Sequence, residues 1–312
     1  MHFSPHRIAR FSRIVCFLFA VAAPTAFAAE EGEQSQSLRS RMREDLLRMN
    51  DFFDTMVPGT LSEYNIVLKF SPKFSDLRDN EYIRYPFELR YGLTPRWELF
   101  GGMTPYHPNP FNDGRDHRWG FGQIRLGARY NLGKFLGVFD EATAGFEMRT
   151  PLGAPPIEII GRYTHLRPFL TTARKLSFLP DTTLFANFAY DREVNTPTRE
   201  HPPVSKMHIA EVAPSLLYKP NEFGAFAEYR FRYITQSWGS HNAHDTKVGV
   251  LWDVPLDRTQ RLKLPGKFQI ELAYKYNREE GYDTDQGVTA RVSWRTTLRE
   301  VLKAPEKAAK KK

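Results

Sequence analysis

The stretch Gly122 to Leu132 (GQIRLGARYNL) puts Ile124, Leu126, Ala128, Tyr130 and Leu132 on one parity, and Gln123, Arg125, Gly127, Arg129 and Asn131 on the other. Successive side chains of a strand point to opposite faces, so the segment has one apolar face and one charged face. A soluble half-buried strand gives the same pattern. What constrains this chain is recurrence: from Leu61 onward the period-two pattern returns about a dozen times, with short and long connections alternating. That is the sequence signature of an all-β, transmembrane, up-and-down antiparallel barrel, whose apolar parity meets lipid and whose charged parity meets an enclosed lumen.

Strands are expected near Tyr64–Ser71, Ile83–Tyr91, Arg96–Thr104, Phe121–Leu132, Ala142–Thr150 and Tyr163–Ala173. Six more follow near Thr183–Tyr190, His208–Tyr218, Phe223–Ile234, Thr246–Val254, Lys267–Asn277 and Gln286–Trp294. Most match the ~9–11 residues that a tilted strand needs to cross a bilayer. The longer connections, 105–120, 191–207 and 235–245 among them, read as extracellular loops, and the short ones as periplasmic turns. An even count of about twelve puts both termini in the periplasm. Pro86, Pro168 and Pro214 interrupt proposed strands, and Tyr163–Ala173 has no clean parity.

Charge fixes which face is which. The inward parity carries Lys69, Arg84, Glu88, Arg90, Glu98, Arg125, Arg129, Glu147, Arg149, Glu228, Arg230, Arg232, Lys247, Asp253, Glu271, Lys275 and Arg291. Each Arg or Lys at the lipid midplane costs ~2–4 kcal/mol. Flipping one strand with two such residues therefore costs as much as many whole domains gain on folding.

Ahead of the strands, the run Ile14 to Ala23 is too short to span a bilayer as a helix. It follows Arg7, Arg10 and Arg13 and precedes Ala26-Phe27-Ala28, which reads as a secretory signal peptide of residues 1–28. The one Cys of the chain, Cys16, lies within it. The mature chain thus has no thiol chemistry, and its formal charge falls from +8 to about +5 with the loss of three Arg. Residues 29–60 carry Leu38, Met42, Leu46, Met49, Phe53 and Met56 at helical spacing, ended by Pro58-Gly59. Two readings stay open: a periplasmic amphipathic helix on the barrel rim, or a plug entering the lumen. The barrel is expected over 61–294, and a basic periplasmic tail over 295–312.

Several segments resemble the outer-membrane family linked to meta-pathway phenol degradation. They are Tyr91 to Leu99 (YGLTPRWEL), Gly120 to Tyr130 (GFGQIRLGARY) and Phe146 to Gly153 (FEMRTPLG), with looser similarity through Val212–Tyr218 and Phe223–Arg230. The motifs are turn and strand patterns, so the resemblance implies an outer-membrane transporter barrel and carries no catalytic residues. Separately, Gly287 to Trp294 resembles the closing-strand signal read by the outer-membrane assembly machinery.

Catalytic sets are few. Ser240, His241, His244 and Asp245 crowd one expected loop, but triads are defined by geometry and not by crowding. Asp113, Asp116 and His117, beside Arg115 and Arg118, read as a charged loop in reach of a divalent ion or lipopolysaccharide. His201 has no partner nearby in sequence. No nucleotide loop or zinc spacing occurs, so neither enzyme activity nor a cofactor is expected. The expected partners are outer-membrane lipid and lipopolysaccharide, the assembly machinery and small solutes, with no nucleic acid. The reading is a Gram-negative outer-membrane channel for passive passage of small solutes, hydrophobic, aromatic or anionic. Its pore would be lined by Arg84, Glu88, Arg90, Arg125, Arg129, Glu147, Arg149, Glu228, Arg230, Arg232, Lys247, Glu271, Lys275 and Arg291. A mainly closed structural or adhesion barrel, and an outer-membrane hydrolase, are the alternatives.

Overall fold

Alternation along the chain becomes a wall with inverted burial. In a computed structural model of the protein, Val248, Val250 and Leu272 are 57, 55 and 49 % exposed, whereas Glu98, Glu147 and Glu271 are fully enclosed. A continuous apolar exterior of this kind is what hydrocarbon requires and water penalises. The structure describes residues 53, 55–72, 82–109, 119–152, 163–194, 207–236, 239–255, 259, 266–281 and 284–297.

The strands are β1 (Ile66–Phe70), β2 (Tyr82–Arg84), β3 (Phe87–Gly92), β4 (Trp97–Pro108), β5 (Gly120–Phe135), β6 (Phe139–Pro151) and β7 (Thr164–Lys175). They continue with β8 (Thr182–Val194), β9 (His208–Tyr218), β10 (Phe223–Gln236), β11 (Gly239–Val254), β12 (Lys267–Glu279) and β13 (Asp285–Thr297). Each pairs antiparallel with its neighbours, and β13 returns to β1 from Val67↔Thr297 to Phe70↔Trp294. Because β2 and β3 both pair with β4, they are one strand in two pieces, and thirteen segments fill twelve positions of a closed barrel.

Closure demands stagger. The row of partners that begins at Leu68, low on β1, passes through Leu126 and Arg192 and ends at Ser240, at the far end of β11. Rows thus climb from the short-turn end to the long-loop end, and the strands tilt accordingly.

A closed wall must still place its prolines, which donate no hydrogen bond. Pro86 falls in the break between β2 and β3, where its carbonyl accepts from Ser71 N at 3.1 Å and Tyr85 N donates to Pro105 O at 2.9 Å. Pro105 sits at a register shift between β4 and β5. Pro168 lies in a gap of the β7–β8 ladder between Leu166 and Phe169, and Pro214 in a gap of the β9–β10 ladder between Val212 and Ser215. Aromatic pairs mark the short-turn end: Trp97 with Tyr130 at 4.9 Å, Phe223 with Trp252 at 5.7 Å and Phe268 with Trp294 at 6.4 Å.

Several expectations need correction. The loop expected over 235–245 is strand: β10 runs to Gln236, and β11 starts at Gly239. The strands β4, β5, β8 and β13 also overrun their expected ends, β5 and β11 reaching 16 residues. Wall beyond the ~9–11 residues needed for a bilayer must stand clear of it. Strand β13 also takes in Arg295, Thr296 and Thr297, the start of the expected tail, and β1 begins only at Ile66. The missing parity of β7 has a simple cause: its inward face carries Phe169 and Ala173, both buried, so it does not contrast with the outward one.

Candidate lumen site

Inward side chains form a charged wall above an apolar floor. On the wall, Glu147 of β6 is fully enclosed and accepts from Arg125 Nε at 2.5 Å and from Arg149 Nε. Arg125 also reaches Glu88 Oε2 at 3.0 Å, from β5 to β3 across the intervening β4. It can do so because Gly102 is the residue opposite both Glu88 and Arg125, and presents no side chain between them. Glu88 in turn pairs with Arg90. Around the bore, Arg129 holds Glu98 at 2.7 Å, Arg167 holds Glu211 at 2.7 Å and Arg291 holds Glu271 at 2.7 Å. Asp245 takes both Arg230 at 2.6 Å and Arg232 at 3.4 Å. Buried charges of opposite sign placed this way satisfy one another, and an apolar replacement of either partner would strand the other.

Into this wall comes the chain itself. Phe53 and Thr55–Leu61 lie inside the bore, in no helix. Their backbone donors are taken by lumen side chains: Phe53 N by Glu271 at 3.1 Å, Thr55 N by Glu228 at 3.0 Å, Gly59 N by Thr143 Oγ1 at 2.7 Å and Leu61 N by Glu98 at 2.8 Å. Thr55 Oγ1 adds bonds to Ser215 at 2.8 Å and Glu228 at 2.6 Å, Arg291 donates to Phe53 O at 3.0 Å, and Asn187 brackets Met56 N and O. The segment therefore crosses the bore, from the β4 and β6 side to the β10, β12 and β13 side. A chain in an enclosed space must find partners for its donors, and here three inward carboxylates and the Thr143 hydroxyl supply four of them.

Apolar side chains fill the space around it. Phe53 and Val57 cluster with Phe185, Leu217, Phe226, Leu251 and Ala173, towards the short-turn ends of their strands, and with Ala273 at the middle of β12. Met56 packs on Phe100, Phe169 and Ala189. Lys247 stands 5.6 Å and Arg291 5.2 Å from the centre of the Phe53 ring, in cation–π range. On the long-loop side of this floor lies a cavity of about 360 Å³. Phe53, Thr55 and Met56 line one part of it. Lys69, Arg84, Arg125, Arg149, Arg167, Arg230 and Arg291 line the rest, with Glu88 and Glu211 as its only carboxylates among the described residues.

No protein-family model matches the chain, and no curated protein matches its sequence. Among solved structures it is similar to an outer-membrane channel from Pseudomonas putida F1, at a TM-score of 0.50 and 8% identity, over 79% of this chain and 100% of that one. It is similar more loosely to the NanC porin (TM-score 0.43, 10% identity, 74% and 98% covered). It is likewise similar to LpxR from Salmonella typhimurium (TM-score 0.40, 9% identity, 73% and 99% covered). At these identities the likeness is one of fold alone. The chain has the fold of Gram-negative outer-membrane barrels. The resemblance to the phenol-degradation family has no counterpart in these comparisons beyond that fold.

The inward residues read from parity fall into three groups. Glu88, Arg90, Arg125, Arg129, Glu147, Arg149, Arg230 and Arg232 belong to the wall network, and Arg84 lines the cavity. Glu228, Glu271, Arg291 and Lys247 hold or touch the entering segment. Lys275 is paired with Asp285 nearer the long-loop end. Parity missed Arg167 and Glu211, since buried Phe169 and Ala173 share the face of the one, and Ala213 and Leu217 that of the other. The catalytic cluster dissolves: Ser240 and His244 face outward to Tyr233 and Tyr229, while His241 and Asp245 face inward to Glu279 and Arg230. Residues 110–118, with Asp113, Asp116 and His117, and residues 195–206, with His201, lie outside the described residues, as do Leu38 to Met49 of the expected helix.

Proposed function

We propose that the protein is an outer-membrane channel for small anionic solutes, held shut at rest by its own segment from Phe53 to Leu61. The observation that supports this is a division of charge inside the bore. Glu98, Glu228 and Glu271 are engaged by the entering segment. The cavity beyond is lined by seven Lys and Arg against two Glu, and with Glu147, Asp245 and Glu271, which pair with four of these arginines, the excess is two positive charges. A ring of fixed cations lowers the free energy of an anion and raises that of a cation. The pore-lining role belongs to the residues of that cavity, and Glu88 and Glu147 position its arginines rather than gate it.

Closure is reversible on energetic grounds. Each hydrogen bond to a charged group contributes about 1.5–3 kcal/mol. Ordering the segment costs about 1–2 kcal/mol per residue, which burial of Phe53, Val57 and their neighbours offsets in part. Gains and costs of the same order leave the closed arrangement open to displacement. The short turns face the periplasm in this reading, together with both termini, and residues 1–28 are removed on export.

Planar-bilayer recordings of the refolded mature protein test the proposal. Rare openings are expected, with a reversal potential under a salt gradient on the anion side. Glu98→Gln/Glu228→Gln/Glu271→Gln should raise open probability about tenfold or more, as the charge-assisted bonds weaken. No current from either protein would overturn the channel and favour a closed structural barrel.

A further inference from the structure

One part of the outer wall breaks the apolar rule. On β8 the chain reads Asp191-Arg192-Glu193, and both carboxylates turn inward beside His165, at 3.0 and 3.7 Å. Arg192 is left exposed on the outer face. On β12 Glu279 likewise turns inward, to His241 at 2.8 Å, and Arg278 is exposed outside. On these two strands alternation turns Asp191, Glu193 and Glu279 into the lumen and Arg192 and Arg278 onto the exterior.

These cations come in pairs. Arg192 lies opposite His208 of β9, and Arg278 opposite His244 of β11. Opposite residues of an antiparallel ladder share a face, with Cβ atoms about 4.5–5.5 Å apart. The two pairs flank β10, and each His ring is anchored by a tyrosine: His208 Nδ1 by Tyr190 Oη at 2.6 Å, His244 Nδ1 by Tyr229 Oη at 2.7 Å. With the phenol donating, each imidazole presents its Nε2–H as a donor.

The pairs also stand at one height. His244 is four residues below Ser240, the β11 residue on the row of Arg192 and His208. Four residues are about 13 Å of strand, and the climb of a row tilted by roughly 35–45° over three strand steps is about the same. The carboxylate next along this rim, Glu280, is occupied by the backbone and side-chain amides of Asn242, at 3.3 and 3.2 Å. Towards the short turns the same face continues as exposed Val248, Val250, Leu272 and Tyr274.

We propose that Arg192 with His208, and Arg278 with His244, bind the headgroup of a bisphosphorylated glycolipid of the outer leaflet, one phosphate to each pair. The nearer members of the two pairs, His208 and His244, are two strand steps apart across the sheet and four residues apart along it, about 16 Å between backbones, a gap that side chains several ångströms long can close on the two ends of a disaccharide carrying a phosphate at each. Charge-assisted donors suit phosphate, and the apolar row beneath receives the acyl chains. This site rests on the orientation given above, long loops outward, and not on conduction.

Titration of the full mature protein in detergent with lipid A carrying two phosphates, with its monophosphoryl form, with phosphatidylglycerol and with inorganic phosphate tests it. Saturable binding of the two-phosphate form is expected, weakened about tenfold or more by Arg192→Gln/Arg278→Gln and by loss of one phosphate. The conservative Arg192→Lys/Arg278→Lys should retain most of it, with barrel circular dichroism and channel current unchanged in all variants. Equal binding by the Gln variant, equal binding of phosphatidylglycerol, or displacement by inorganic phosphate would overturn the site. Lipid binding without any current would sink the channel and leave the site; current without lipid binding would do the reverse.

Discussion

At the scale of single residues, Glu147 carries the clearest consequence. It is fully enclosed and is shared by Arg125 and Arg149, each about a third exposed. Glu147→Gln keeps the shape and removes the charge, leaving two arginines facing each other across β5 and β6. Because both arginines retain access to water, the expected loss is about 1–3 kcal/mol, below that for a fully buried pair. Urea unfolding in detergent micelles reads it as a lower midpoint. Gly102 is a second case: a Cβ there would meet Phe87 O at 2.5 Å, so Gly102→Ala should cost about 1–3 kcal/mol and disturb the Arg125–Glu88 bridge. Residues such as Arg125, Glu147 and Arg291 were legible because their strands alternate cleanly. Arg167 was not, because Phe169 and Ala173 share its face and sit in the apolar floor, which no count of charged positions anticipates.

At the scale of elements, strand existence was legible and strand ends were not. The limits of β9 follow from sequence, His208–Tyr218, since a proline-bearing loop and the Lys219–Glu222 turn bound it. Only the end of the β10–β11 hairpin, 235–245, reads as a loop in sequence, because Ser240, Asn242 and His244 are polar on the outward face, above the hydrocarbon, where alternation of hydropathy no longer applies. The same reasoning separates two substitutions on β12. Leu272→Arg, within the apolar band, should cost about 2–4 kcal/mol, whereas a polar change at Arg278 should cost little. Folding yield into vesicles, followed as the heat-dependent gel shift of the barrel, compares them. The entering segment was the harder element. Its helical spacing at Phe53 and Met56 is real, yet neither residue sits in a helix, because the lumen offers carboxylates to its amides and apolar partners to Phe53 and Met56.

At the scale of the whole molecule, the barrel is inside-out at its wall and conventional at its floor: charge within, hydrocarbon without, and a small apolar core where the chain crosses its own bore. In the channel proposed above, that core and the three glutamates bound to the segment would decide whether solute passes. Thr55 Oγ1 and Ser215 Oγ lie 2.8 Å apart, and Cys16, the one native cysteine, precedes the expected cleavage site. Thr55→Cys/Ser215→Cys therefore allows the segment to be tied to the wall and released at will. Single-channel recording of this variant, oxidised and then reduced in the same bilayer, is the most direct test. Openings should vanish on oxidation and return on reduction; identical current in the two states would show that the segment does not close the bore.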